Sequence, residues 1–231
     1  GLVAGIGGIP KLSICTEARS PRHAAAAAMV KRFAMSFLHH AAMLHCFERE
    51  NMRADLQLIA GAGAEKAGFR RLRDLRETVP IAMLDYWTRK RGDRLMPRPD
   101  EMDPVEFPAL LPNIIVLKIA YDPFEITYRL MGEETIQANG GNFRGRTVTS
   151  LDEVRPFFGS MLFEFYKWVA LARRPVGAGG SMEFAGRGFM NFEAVYLPLS
   201  MDGERTDRIF GATAYTPVSA LERLRTEIST I

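Results

Sequence analysis

Five prolines, Pro97, Pro99, Pro104, Pro108 and Pro112, are crowded into the stretch from Leu95 to Pro112 and constrain this chain more than any other local feature. Inside a helix, proline removes a backbone donor and clashes with the preceding turn, so the stretch admits turns and single helical turns only. Asp103 before Pro104 suits the start of one such turn. The elements on either side must therefore be separate. Upstream, Leu72, Leu75 and Val79 keep helical spacing, and Thr78 is suited to cap a helix in which Pro80 lies in the first turn. The spacing predicts a lead helix within 70–92, with Val79, Met83, Tyr86 and Trp87 on one side and Gly92 at its end.

Downstream, Ile114–Tyr121 is rich in β-branched residues, Asp122-Pro123 marks a turn, and Glu125–Met131 alternates, which predicts an antiparallel pair. Glu133–Ala138 suits a short helix, stopped by Asn139-Gly140-Gly141-Asn142. A longer helix is expected over Asp152–Arg173, where Phe158, Leu162, Phe165, Trp168 and Val169 form a stripe. Strands follow at about Val176–Phe184, Phe189–Leu199 and Arg208–Thr216, with turns at Gly186–Gly188 and Met201–Gly203. Thr216-Pro217 introduces a final helix within 217–231. Two strands, helices, then three strands imply an α+β fold: a five-stranded antiparallel sheet with helices on one face, a flanking N-terminal helix and a C-terminal helix.

Residues 1–69 differ from this pattern. Gly5–Gly8, the alanine run Ala24–Ala28 and Gly61-Ala62-Gly63 suggest an extension that is poorly ordered or partly helical. Residues 1–80 carry 12 Lys/Arg against 7 Asp/Glu, whereas residues 81–231 carry 18 against 20. The body is close to neutral, which argues against the clustered basic face that nucleic acid requires. No apolar run approaches the ~20 residues of a membrane helix. The two cysteines, Cys15 and Cys46, cannot staple a chain of this size. His39, His40 and His45 interrupt the only stretch resembling a signal sequence, so a soluble, cytoplasmic protein is expected.

Several short motifs occur in a fixed order. Ala82-Met83-Leu84-Asp85-Tyr86-Trp87 is followed by Arg91-Gly92 and Met96-Pro97-Arg98, then Asp103-Pro104 and Leu110-Leu111-Pro112. Tyr128-Arg129-Leu130-Met131-Gly132 comes next, and Leu197-Pro198-Leu199-Ser200 before Asp202-Gly203 closes the series. Over about Ile81 to Thr216 this resembles the PAS-like family of short stand-alone alphaproteobacterial proteins. The resemblance implies a sensory or regulatory module with no catalytic residue to carry over. It leaves the motif residues as architecture, with Trp87 anchoring the lead helix and Gly132 and Gly203 serving turns.

All four histidines (His23, His39, His40 and His45) and both cysteines lie in the extension, so the domain itself has neither imidazole nor thiol. Ser-His-Asp and Cys-His catalysis, an imidazole ligand for haem and a thiol for a flavin adduct are thereby missing from it. No cofactor and no metal is assigned, although His39, His40 and His45 form a cluster within the extension. The Gly140–Thr147 stretch matches a phosphate loop in glycine spacing but lacks the strand before it and the helix after it, and reads as a connection.

Glu183 and Glu193 sit in expected strands, either facing outward or paired with Arg129 or Arg187, or buried as acid–base groups. A ligand cavity would draw on Tyr128, Phe143, Phe163, Trp168, Phe184, Phe192 and Tyr196, with Arg129 at its rim for an anion. Each aromatic also fits an ordinary core. Three functions remain open: a sensory module working through another protein or through self-association of the 70–92 helix, a small α+β enzyme using Glu193 with Tyr196 or Arg129, and a structural dimerisation domain. No kinase, cyclase or DNA-binding segment is expected in the remaining residues.

Overall fold

A six-stranded antiparallel sheet organises the protein, in the order β1-β4-β5-β6-β2-β3. The computed structural model describes residues 67–219. The strands are β1 (Gly68–Arg70), β2 (Ile114–Tyr121), β3 (Phe124–Met131), β4 (Val176–Met182), β5 (Arg187–Leu199) and β6 (Arg208–Pro217). Three main helices accompany them: α1 (Thr78–Arg91), α2 (Glu133–Asn139) and α3 (Phe158–Ala172). The proline-rich stretch forms short 3-10 turns at Pro99–Glu101, Pro104–Glu106 and Pro108–Asn113, and the Asp103 side chain accepts from Val105 N at the second.

The expected five-stranded sheet is corrected to six strands. Gly68–Arg70, expected at the junction of the extension and the lead helix, pairs with β4. A Cβ on Gly177 would stand 2.6 Å from the Arg70 carbonyl oxygen, so only glycine lets β1 approach this closely. Phe69 then packs edge-on against Trp168 of α3, with ring centroids 4.8 Å apart. The lead helix begins only at Thr78, with Glu77 as its N-cap, so Thr78 is the first helical residue and not the cap.

The long helix expected from Asp152 is also corrected. A 3-10 turn occupies Thr149–Glu153, and α3 starts at Phe158. Pro156 disfavours helical geometry at Arg155, and Phe157 adopts φ 66°, which breaks the path between the two segments. Asp152 nevertheless serves α3 from outside: its carboxylate accepts from the Ser160 backbone N–H at 3.0 Å and also from the Ser160 hydroxyl. Of the C-terminal helix expected at 217–231, Pro217 instead ends β6 and Val218 and Ser219 are not helical, and the rest lies outside the described residues.

Strand alternation splits the core into two layers. On one face, Phe192, Ala194 and Tyr196 of β5 join Ile115, Leu117 and Tyr128 beneath α2 and α3. On the other face, Val195, Leu197 and Leu199 join Phe210 beneath α1. Both faces of β5 are thus covered along its second half. The flanking helix lies opposite the other two, so "helices on one face" describes α2 and α3 only. Trp87 is fully buried and its indole N–H donates to the Pro198 carbonyl at 2.9 Å, which fixes α1 on the sheet. The Tyr86 hydroxyl accepts from Asp103 N at 3.1 Å and donates to the Glu101 carbonyl, pinning the proline-rich stretch to the same helix.

Candidate functional site

Between the sheet and the pair α2–α3 lies a cavity of about 40 Å³. A buried water needs roughly 10–15 Å³ by this kind of measure. The space therefore holds about three waters or a molecule of similar size, and is smaller than the roughly 150 Å³ cavity that admits benzene. Its wall has no charged side chain. Ile115, Met131, Leu162, Met182, Phe184 and Phe192 supply apolar surface; Tyr128, Tyr166, Tyr196, Tyr215, Thr135, Thr213 and Asn139 supply polar groups.

The four phenols come from four different elements. Tyr128 is on β3, Tyr166 on α3, Tyr196 on β5 and Tyr215 on β6. Tyr166 stands between two of the others, its ring 6.4 Å from Tyr128 and 5.7 Å from Tyr196, and its phenol interacts with both. Burial is the main cause that pushes all four phenols above their ordinary range; the neighbouring phenol of Tyr166 offsets part of this at Tyr128. Tyr215 is half-buried along its ring, while its hydroxyl end is enclosed near Thr135, Thr213 and Asn139. All four are neutral hydrogen-bonding groups at physiological pH.

Thr135, on α2, is the unusual member. It is only 2% exposed, yet its hydroxyl has no partner in hydrogen-bond geometry. The nearby Tyr215 phenol is influenced by it without completing a bond. Asn139 spends its amide on the Thr135 carbonyl at 2.8 Å and, more weakly, on the Tyr215 oxygen at 3.4 Å. A buried hydroxyl without a partner costs about 1–3 kcal/mol. Here it lines a space large enough for a molecule to satisfy it.

Of the residues expected at a ligand site, Tyr128, Phe184, Phe192 and Tyr196 line this cavity. Phe143 is buried behind it, 5.9 Å from the Tyr128 ring and 6.4 Å from Phe158. Phe163 faces the β2–β3 hairpin, edge-on to Phe124. Trp168 is engaged by Phe69. Arg129 is exposed on β3 at the bulge where the β2–β3 register shifts, and it is not among the residues lining this cavity. Tyr166, Tyr215, Thr135, Thr213 and Asn139 were missed. A helical face of Leu162, Phe165, Tyr166 and Val169, and the shared strand face of Thr213 and Tyr215, carried the signal for several of them.

The carboxylates lie elsewhere. Glu193 does not pair with Arg129 or Arg187: its Oε2 accepts from the backbone N–H groups of Arg76 and Glu77, each at 2.7 Å. It clasps the approach to α1, on the sheet face opposite Tyr196, and is remote from the phenols by that alternation. Glu183 is exposed on a turn after β4. Among the described residues no group of three or more His, Cys, Asp or Glu side chains is placed to hold a metal ion. No helix among them is long and apolar enough to cross a membrane.

An antiparallel sheet with one face closed by helices over a small polar-lined cavity, and the other by a lead helix, defines an α+β module with a candidate ligand cavity. Residues 76–214 match the PAS domain family, and the chain belongs to that family. No curated protein and no solved structure gives a match.

Proposed function

We propose that this protein is a sensory or regulatory PAS module that holds a small uncharged molecule in the tyrosine-lined cavity and passes its occupancy on through α3. The observation that carries the reading is the unpartnered Thr135 hydroxyl within a wall of neutral donors and acceptors. An ion there would lose its hydration with no opposite charge to replace it, at several kcal/mol. An uncharged hydrogen-bonding ligand avoids that cost. Leu162 and Tyr166 place α3 directly in the wall, so a ligand that favours one packing of this helix shifts the population of its conformers.

Signal output then passes to another protein or a second copy. The apolar side of α1 is already spent on the sheet, since Met83, Tyr86 and Trp87 are buried there. Self-association through this helix would therefore use its outer residues, such as Asp85, Thr88 and Arg89. A cytoplasmic setting accords with the scarcity of cysteine.

The test is native mass spectrometry of the full chain, alone and with formamide, acetamide or ethylene glycol, together with amide NMR. A bound small molecule, or saturable shifts at Thr135, Asn139, Tyr166 and Tyr215, is the expected result. Bare protein mass and unperturbed amides with every probe would favour the structural dimerisation reading.

A further inference from the structure

Two methionines stand in the wall of the tyrosine-lined cavity: Met131 at the end of β3 and Met182 at the end of β4. A thioether adds little to the hydrogen bonding of such a site, but a two-electron oxidant attacks it. The product, methionine sulfoxide, is polar and chiral, and reductases reverse the step. The two sulfurs differ in their surroundings. Met131 is half-buried and already spends a sulfur lone pair on the Phe143 backbone N–H, which donates to it at 3.2 Å. Met182 is only 2% exposed, so bulk solvent does not reach it from outside and the cavity is its open side.

Oxidation of a thioether by hydrogen peroxide is balanced without any other reactant. A sulfur lone pair attacks one peroxide oxygen, the S–O bond forms as the O–O bond breaks, and the departing hydroxide takes the proton of the transferred oxygen to leave as water. Negative charge develops on the departing oxygen, so hydrogen-bond donors already placed around it lower the barrier. This wall supplies them in the unpartnered Thr135 hydroxyl and the phenols of Tyr128, Tyr166 and Tyr196. Hydrogen peroxide is uncharged, both donates and accepts, and fits a space that holds about three waters. The sulfoxide oxygen it leaves behind is an acceptor among hydroxyl donors, one of which, Thr135, has no partner.

The structure assigns Met182 as a peroxide-sensitive modification site: hydrogen peroxide that enters the cavity converts this thioether to the sulfoxide, and the added oxygen occupies the space beneath α3. The assignment rests on the reading of the cavity as open to a small uncharged molecule, and adds to it a reactant and the residue that records it. Leu162 and Tyr166 of α3 share the wall with Met182. The added oxygen therefore acts on the helix through which occupancy is passed on, and it stays after the peroxide has gone.

The test treats the full chain with hydrogen peroxide or tert-butyl hydroperoxide and follows the sulfoxide at each methionine by peptide mass spectrometry. Met83 and Met96, beneath α1, and Met161, in the same layer as the cavity but outside its wall, are 0%, 1% and 4% exposed and serve as buried controls. Met201, 47% exposed, reports the intrinsic reactivity of each reagent. With hydrogen peroxide, Met182 should oxidise roughly tenfold or more faster than the three controls, as access together with a well-placed donor implies. tert-Butyl hydroperoxide has as many heavy atoms as benzene and exceeds this cavity, so the rate of Met182 relative to Met201 should fall by roughly tenfold or more. Hydrogen exchange over 158–172 should change on oxidation, and should not change in Met182→Leu treated in the same way. Met182 oxidising no faster than the buried controls, an equal Met182 to Met201 ratio with both peroxides, or an exchange response that persists in Met182→Leu overturns the assignment. If formamide or acetamide still shifts the Thr135 and Tyr166 amides in that case, the cavity holds a ligand without recording an oxidant, and the failure belongs to this inference alone.

Discussion

Replacing Thr135 by valine exchanges a hydroxyl for a methyl of similar shape on a short helix, with little change in helix propensity. The Thr135 hydroxyl is buried with no partner in hydrogen-bond geometry, a state that costs about 1–3 kcal/mol relative to a satisfied group. The new methyl faces some polar neighbours, Tyr215 and Thr213 among them, which offsets part of the gain. The expected net effect is about 1 kcal/mol of added stability, or roughly 2–4 °C in melting temperature for a domain of this size. Any molecule that bonds to the hydroxyl should bind Thr135→Val less well. Urea denaturation and calorimetry of the full chain, with and without a binding probe, measure both effects. A ligand-free variant that is destabilised by 1 kcal/mol or more would refute the reasoning, because the hydroxyl would then already have its partner.

Glu193→Ala removes both backbone contacts at the approach to α1 and should cost about 1–2 kcal/mol, with faster amide exchange confined at first to residues 76–82; urea denaturation and hydrogen exchange check this. Asp202 is held down to about 2, chiefly by the backbone N–H groups of Arg205 and Glu204 and by the Ser200 hydroxyl. A depressed carboxylate contributes stability that is present above its unfolded value near 3.9 and lost as the pH falls toward 2. The turn between β5 and β6 should therefore loosen in that window, and amide NMR of residues 200–207 follows it; Asp202→Asn should abolish the transition. All 6 tyrosines are raised above their ordinary value of 10, with burial the leading cause at each. Their neutral forms contribute stability below pH 10 that is lost as the pH rises further. An ultraviolet titration should show phenolate appearing late and together with unfolding, and a full set titrating reversibly near pH 10 would contradict the packing described.

Much of the sheet was legible because strand alternation and turn residues speak locally. Ile114–Tyr121, the Asp122-Pro123 turn and the three later strands fall where their β-branched and aromatic residues indicated. The sixth strand was not legible. Gly68-Phe69-Arg70 is too short to alternate, and it is held by partners far along the chain, the glycines of β4 and the Trp168 ring. The break before α3 did have a signal in Arg155-Pro156, but the aromatic stripe masked it. At the cavity, alternation located Tyr128, Phe192 and Tyr196 on the correct face without showing whether that face was filled. Alternation could not place Arg129, because the β2–β3 register shifts there. Glu193 illustrates the remaining gap: a carboxylate aimed at backbone N–H groups 116 or more residues away leaves no trace in local sequence.

Substituting Leu162→Phe, which fills the cavity from α3 without adding a polar group, and mapping amide hydrogen exchange over the whole chain tests the sensory account most directly. If occupancy of this space controls the packing of α3, protection should change over 158–172 and 133–139 while 78–91 on the opposite face stays as it was. Unchanged exchange in α3, or a uniform change shared by α1, would show that the space beneath the helix controls nothing and would contradict the account.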